Sequence, residues 1–290
     1  MKQLSYENAI QVDGLCKSFD GFQLKDVTFT LPRGTIMGLI GENGAGKSTT
    51  IKLLLSLLQK DSGSIQLFDQ PLEHDGYELR LRIGSVLDEG FFYEDLTPGQ
   101  MAKVLSHCHP RWDSDHFDAL LRRFQLDPSK KFKEMSRGMK VKTKLAIALA
   151  PHPQLLLLDE PTSGLDPVAR SQFLDLLQEF IQDENCAVLL SSHITSDLER
   201  VADYITYIHQ GKILLSEETA ELLDRCAIWR CTPEDVRKLT SNQYISVRKN
   251  AYCCDVLIGD RRAFLSTHPD AILDPASLEE IMTLYAYKAQ

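Results

Sequence analysis

The chain has 290 residues, 43% hydrophobic and 25% charged, the composition of a folded globular protein long enough for one large domain or two small ones. Its 32 basic against 41 acidic residues leave a formal charge of -9, the wrong sign for a surface that grips nucleic acid, so no nucleic-acid partner is expected. Seven cysteines, an odd number with no C-x-x-C pair, exclude a disulfide scaffold and suit a reducing cytosol.

The first residues, MKQLSYENAIQVDG, contain no apolar core of a signal peptide. Apolar runs such as 145–150 and 155–158 fall far short of the ~18 residues that span a bilayer, so the chain is expected neither to be secreted nor to cross a membrane. Strands are predicted at 9–15, 27–31 and 34–40, separated by the Asp20-Gly21 and Pro32-Arg33-Gly34 turns. After a glycine-rich loop, Ile51, Leu54, Leu55 and Leu58 repeat with the spacing of an amphipathic helix over 47–58. From about 91 to 149 the pattern is helical: Thr97, Pro98 and Gln100 form a capping box with proline at the first helical position. Ser114 repeats that theme ahead of Phe117, Leu120, Leu121 and Phe124. Runs 155–158 and 187–190 are apolar throughout, as strands buried on both faces of a parallel sheet must be. Beyond a strand at 204–209, strand-like runs at 244–247 and 254–258 mix with helices, the last at 277–286 with Ser277 and Glu280 as its capping box. These patterns predict an α/β nucleotide-binding core over 1–215, with a helical subdomain at about 89–150, and a small α+β accessory region over 216–290.

Gly41-Glu42-Asn43-Gly44-Ala45-Gly46-Lys47-Ser48-Thr49 satisfies G-x-x-x-x-G-K-[ST] between a predicted strand and a predicted helix. Glycines at this spacing let backbone N–H groups converge on the α- and β-phosphates, where the helix N-terminus adds positive potential. Lys47 then reaches the β- and γ-phosphates and Ser48 ligates Mg²⁺. Leu155-Leu156-Leu157-Leu158-Asp159-Glu160 places two carboxylates at the carboxyl end of a buried strand, a Walker B sequence. Asp159 is expected to hold Mg²⁺, directly or through water, and Glu160 to polarise the attacking water. His107-Cys108-His109 lacks a second ligand cluster and is read as a helix end rather than a metal site.

With these two motifs the chain resembles the ATP-binding subunits of ABC transporters, and further matches follow in that family's order over roughly 8–215. Ser136-Arg137-Gly138-Met139-Lys140 occupies the signature position that commonly reads LSGGQ, Ser163-Gly164-Leu165-Asp166 resembles the D-loop, and Ser192-His193 the switch histidine. Phe19 stands where the family stacks an aromatic ring on adenine. The resemblance implies a P-loop ATPase of ABC type that binds Mg²⁺-ATP between two subunits, a homo- or heterodimer. Ser136 and Gly138 would face nucleotide held by the other subunit, with Asp166 beside it and His193 on the γ-phosphate. It also implies a separate transmembrane permease as partner and a cytoplasmic place on the inner face of the membrane.

Two positions depart from the family pattern. Asp88 stands where the Q-loop usually carries glutamine; a carboxylate can still contact Mg²⁺ or its waters. Arg137 and Met139 replace a small glycine and the glutamine of the signature. Both departures, with the surroundings of Tyr93 to Leu96 and of Trp112-Asp113, resemble the Ytr-type and related antibiotic-export branch of Gram-positive bacteria. The leading expectation is an ATPase that powers an exporter; a weakly or non-hydrolysing regulatory subunit is the alternative.

Overall fold

The computed structural model describes residues 7–73, 76–87 and 94–288. An antiparallel hairpin opens the chain, β1 (Asn8–Phe19) and β2 (Phe22–Pro32). β3 (Ile36–Ile40), buried at every residue, delivers the chain to the glycine-rich loop and α1 (Lys47–Leu54). β4 (Ser62–Leu67) and β5 (Gln70–Pro71) return to the hairpin, and α2 (Tyr77–Arg80) leads to β6 (Ile83–Val86). Three helices follow, α3 (Pro98–Cys108), α4 (Ser114–Arg123) and α5 (Arg137–Leu149). The core is completed by β7 (Leu155–Asp159), α6 (Pro167–Phe180), β8 (Ala187–Ser192), α7 (Thr195–Val201), β9 (Tyr204–His209) and β10 (Lys212–Glu218). The remainder comprises α8 (Thr219–Arg225), β11 (Ala227–Cys231), α9 (Pro233–Val236), β12 (Ser246–Lys249), β13 (Cys254–Ile258), α10 (Arg261–Thr267), β14 (Leu273–Pro275) and α11 (Leu278–Lys288).

Among the described residues the strands form three sheets, ordered β2-β1-β4-β5, β10-β9-β3-β8-β7-β6 and β12-β13-β11-β14. In the central sheet β9, β3, β8, β7 and β6 run parallel, with β10 antiparallel at the edge. Both faces are covered, and successive residues of each strand serve opposite cores. Leu156, Leu158, Val188 and Leu190 pack toward α4, α5 and α6, whereas Leu155, Leu157, Ala187 and Leu189 pack toward α1 and the β1–β2 hairpin. This double burial explains why the runs are apolar throughout rather than alternating.

The Thr97–Gln100 capping box forms as expected. Two local expectations are corrected. The helix after the glycine-rich loop stops at Leu54 instead of Leu58 because Ser56 takes a left-handed φ of 57°. The Leu57 N–H then bonds the Lys52 carbonyl at 2.9 Å and the Ser56 N–H the Leu53 carbonyl at 3.0 Å, a Schellman closure with serine in the position glycine usually takes. The cap of α4 is Asp113, whose carboxylate accepts from the His116 N–H at 2.9 Å; Ser114 is already the first helical residue.

The third sheet is antiparallel, and Ser277 and Glu280 cap each other ahead of α11. This region does not stand apart from the core. Leu222, Ile228, Leu257, Leu278, Ile281 and Leu284 belong to the same buried cluster as Leu198, Val201 and Ile205 of the ATPase core.

Candidate functional site

β3, β8 and β7 end together. Ile40 pairs with Ser192 across one strand boundary and Asp159 with Ser191 across the next, so the glycine-rich loop, His193 and Glu160 leave the sheet side by side at its carboxyl edge. Two glycines of the loop are dictated by close approach. A Cβ on Gly41 would lie 2.4 Å from the Ile208 carbonyl oxygen, and one on Gly46, already at φ 118°, would lie 2.6 Å from Leu24 Cδ2. Gly46 is also the N-cap of α1, and its carbonyl accepts from the Thr50 N–H and the buried Thr50 hydroxyl, both at 2.9 Å. The loop is tied to the end of β9 by the Gly211 N–H, which donates to the Ala45 carbonyl at 3.0 Å. Glu42, Asn43, Gly44 and Ser48 are exposed around this opening, with Thr49 half-buried behind them.

Lys47 is buried, and its ammonium donates to the Gly41 carbonyl at 2.6 Å and the Glu42 carbonyl at 3.3 Å. It also lies 3.1 Å from Glu160 Oε1, a charge contact without hydrogen-bond alignment. The other carboxylate oxygen of Glu160 is 2.7 Å from His193 Nδ1 and accepts from the His193 backbone N–H at 3.4 Å. Facing an ionised carboxylate, Nδ1 carries the proton and donates it, which leaves Nε2 of the half-exposed ring for another partner. Glu160 holds this place at a left-handed φ of 49°, a conformation that costs a non-glycine residue roughly 1–2 kcal/mol. Two residues distant in sequence thus converge on one carboxylate.

One functional residue escaped the sequence reading. Ser191 Oγ donates to Asp159 Oδ1 at 2.7 Å and accepts the Glu160 N–H at 3.0 Å, so a single hydroxyl orients both Walker B carboxylate residues. The available signal was the run Ser191-Ser192-His193, in which the serine two residues before the histidine lies at the end of a buried strand. Asp159 is buried and keeps its second oxygen free of protein hydrogen bonds among the described residues. A hydroxyl on the first turn of α1, Ser48, and a buried carboxylate, Asp159, are the hard oxygen donors that Mg²⁺ takes alongside phosphate and water. The residues present therefore fit that ion.

The remaining expected site residues distribute as follows. Phe19 closes the first hairpin, 43% exposed, with Lys17 Nζ 5.6 Å from the ring centroid. Ser136 caps α5, its hydroxyl accepting from the Met139 N–H at 3.3 Å, and Gly138 sits in the first turn of that helix. Asp166 caps α6: its carboxylate accepts from the Val168 and Ala169 N–H groups at 3.0 Å, which holds its pKa below the usual range. Its side chain is thus engaged in its own helix. Asp88 lies outside the described residues.

A family model described as ABC transporter matches residues 24–163. Over 205 residues the chain is 33% identical to the ABC transporter ATP-binding protein YtrB of Bacillus subtilis, an alignment covering 70% of each protein. It is 39% identical over 197 residues to the lantibiotic transport ATP-binding protein SrtF of Streptococcus pyogenes, covering 67% of this chain and 84% of that one. The solved structure of an ATP-binding subunit of an ABC transporter superposes with a TM-score of 0.67 at 29% identity, covering 74% of this chain and 92% of that one. With the P-loop, the Walker B carboxylates and the histidine gathered on one sheet edge, the chain belongs to the ABC transporter family as an ATP-binding subunit, an ATPase of the kind that powers transport.

Proposed function

We propose that this protein hydrolyses Mg²⁺-ATP to drive an exporter, acting on a separate transmembrane permease from the inner face of the membrane and pairing with a second subunit, identical or related. The observation that carries the reading is the convergence of Lys47 and His193 on Glu160. In this reading the loop 41–49 cradles the phosphates, Phe19 stacks on the base, and Lys47 takes up the β- and γ-phosphates. Ser48 and Asp159 would hold Mg²⁺, which would supply positive charge to the phosphates, and Asp88 is the further carboxylate assigned to the ion or its waters by the resemblance. Drawing Lys47 toward phosphate relieves Glu160 of a neighbouring cation and leaves its carboxylate to accept the proton of the attacking water. With Nδ1 held by Glu160, His193 turns Nε2 toward the γ-phosphate.

Ser136, Gly138 and the N-terminus of α5 serve the nucleotide of the opposing subunit, with Asp166 shaping the adjoining D-loop. Residues 1–215 form the ATPase unit with its helical part at about 89–150, and 216–290 an accessory region. Lantibiotic transport in the name of the related SrtF supports an antibiotic-export role. No described helix is long and apolar enough to cross a membrane, so the permease of this proposal supplies the spanning segments.

The test is Glu160→Gln. ATP binding should persist while hydrolysis falls by about a hundredfold or more, the scale of a lost general base, and a longer-lived dimer should appear on size exclusion with ATP. Hydrolysis at the wild-type rate in that variant would overturn the assignment of Glu160.

A further inference from the structure

Arg137 is the first residue of α5, exposed, and the largest departure from the usual signature loop. A Cβ built on Gly164 would lie 2.8 Å from Arg137 Nε, 2.9 Å from Cζ and 3.0 Å from Nη1. Near-equal distances to three atoms of one plane put that point above the guanidinium face rather than at its edge. The arginine therefore lies flat over Gly164, whose left-handed φ of 70° and missing side chain make the contact possible. Among the described residues Arg137 makes no hydrogen bond and no ion pair, so packing alone places it there.

Gly164 is the middle of a short turn that starts at Glu160. The Ser163 N–H donates to the Glu160 carbonyl at 3.2 Å and the Leu165 N–H to the Thr162 carbonyl at 3.1 Å. The far end is anchored by Asp166 capping α6, and the near end is Glu160 itself at positive φ. Between these anchors the Arg137 face rests on the turn. Arg137 also lines a cavity of about 390 Å³ shared with Asp159, Glu160, Ser163, Lys140 and Lys144, so its displacement would open the Glu160 side of the site.

We infer that Arg137 is a positioning residue for ATP hydrolysis: its guanidinium plane, stacked on Gly164, holds the 160–166 turn and through it the orientation of the Glu160 carboxylate. The inference rests on the ATPase reading above and adds a role in the same subunit for an arginine that the signature position does not require. A flat face does this where a flexible ammonium cannot, because a planar group covers a backbone surface at little conformational cost.

The experiment measures steady-state ATP hydrolysis by the full chain with Arg137→Ala, Arg137→Lys, Gly164→Ala and the double variant Arg137→Ala/Gly164→Ala, beside Lys47→Ala. Misplacing a reacting group by a fraction of an ångström to an ångström is felt in turnover, so Arg137→Ala should lower kcat by about tenfold while KM for ATP moves less than about twofold. Arg137→Lys, which keeps the charge and loses the plane, should not restore it. Gly164→Ala pushes the guanidinium away and should lower kcat similarly, and the double variant should be no worse than the poorer single one. Amide exchange at Ser163 and Leu165 should quicken by about fivefold in Arg137→Ala, a readout that does not depend on turnover. Unchanged kcat and unchanged exchange in Arg137→Ala, full rescue by Arg137→Lys, or multiplying defects in the double variant would overturn the inference. Turnover that survives Lys47→Ala would instead remove the proposed function, since hydrolysis would then not come from this site.

Discussion

Lys47 Nζ stands 3.1 Å from Glu160 Oε1, with both side chains largely withdrawn from solvent. In the proposed function the lysine serves two groups in turn, this carboxylate and a phosphate. Lys47→Ala removes the phosphate's cation and also leaves Glu160 beside His193 alone. We expect ATP affinity to fall by about tenfold or more and turnover by about a hundredfold, measured by calorimetric titration and phosphate release.

A histidine pair makes stability pH-dependent. The His116 and His152 rings stack with centroids 4.3 Å apart and planes at 13°, and His152 Nε2 is 2.9 Å from Asp113 Oδ2. Burial, with the neighbouring His152, pushes the His116 pKa below its ordinary 6.5, against the opposing pull of Asp113. Between that lowered value and about 6.5 the unfolded chain binds more protons than the folded one, so stability falls as pH falls through this window. Asp113, held low by its bond to His152, acts in the same sense only below about 3.8. The melting temperature should be lower at pH 5.5 than at pH 7.5. His116→Phe, which keeps a stacked ring without a titrating nitrogen, should narrow that gap.

Thiol reactivity should divide by burial. Burial drives Cys186 up to about 12 and Cys226 and Cys231 up to about 11, whereas Cys108 is exposed at the end of α3. At pH 8 an aromatic disulfide reagent should modify Cys108 in the native protein and leave those three cysteines untouched until denaturant is added, as read by peptide mass spectrometry.

Because the C-terminal sheet shares its core with the ATPase unit, the two should unfold together. Ile281 is fully buried in that shared cluster, and the Leu278 N–H donates to Glu199 of α7 nearby. Ile281→Ala should lower stability by about 2–5 kcal/mol, within a single transition followed by urea titration. Two separated transitions would show instead that the accessory region stands alone.

Where a feature is built from neighbouring residues, it was legible before any coordinates. The glycine-rich loop, the capping boxes at Thr97 and Ser277 and the double-faced strands are of this kind, since each depends on backbone conformation or on side chains a few positions apart. The end of α1 was not legible, because apolar spacing continues to Leu58 while the left-handed turn at Ser56 depends on what the chain does next. Asp113 took the α4 cap from Ser114 by the same kind of one-residue competition between two capable side chains.

Lys47, Ser48, Asp159, Glu160 and His193 could each be assigned a chemistry from residue type, spacing and resemblance. Their meeting could not, since it follows from parallel strand register: Ile40 beside Ser192 and Asp159 beside Ser191 set the three loops on one edge. Only that register lets Ser191 orient both carboxylate residues and brings Lys47 and His193 to the same carboxylate. Arg137 shows the same division. In sequence it is a bulky substitution in a signature loop, and in space it is the flat cover of Gly164, because contact between α5 and the turn after β7 is a tertiary surface contact and not the product of any local pattern.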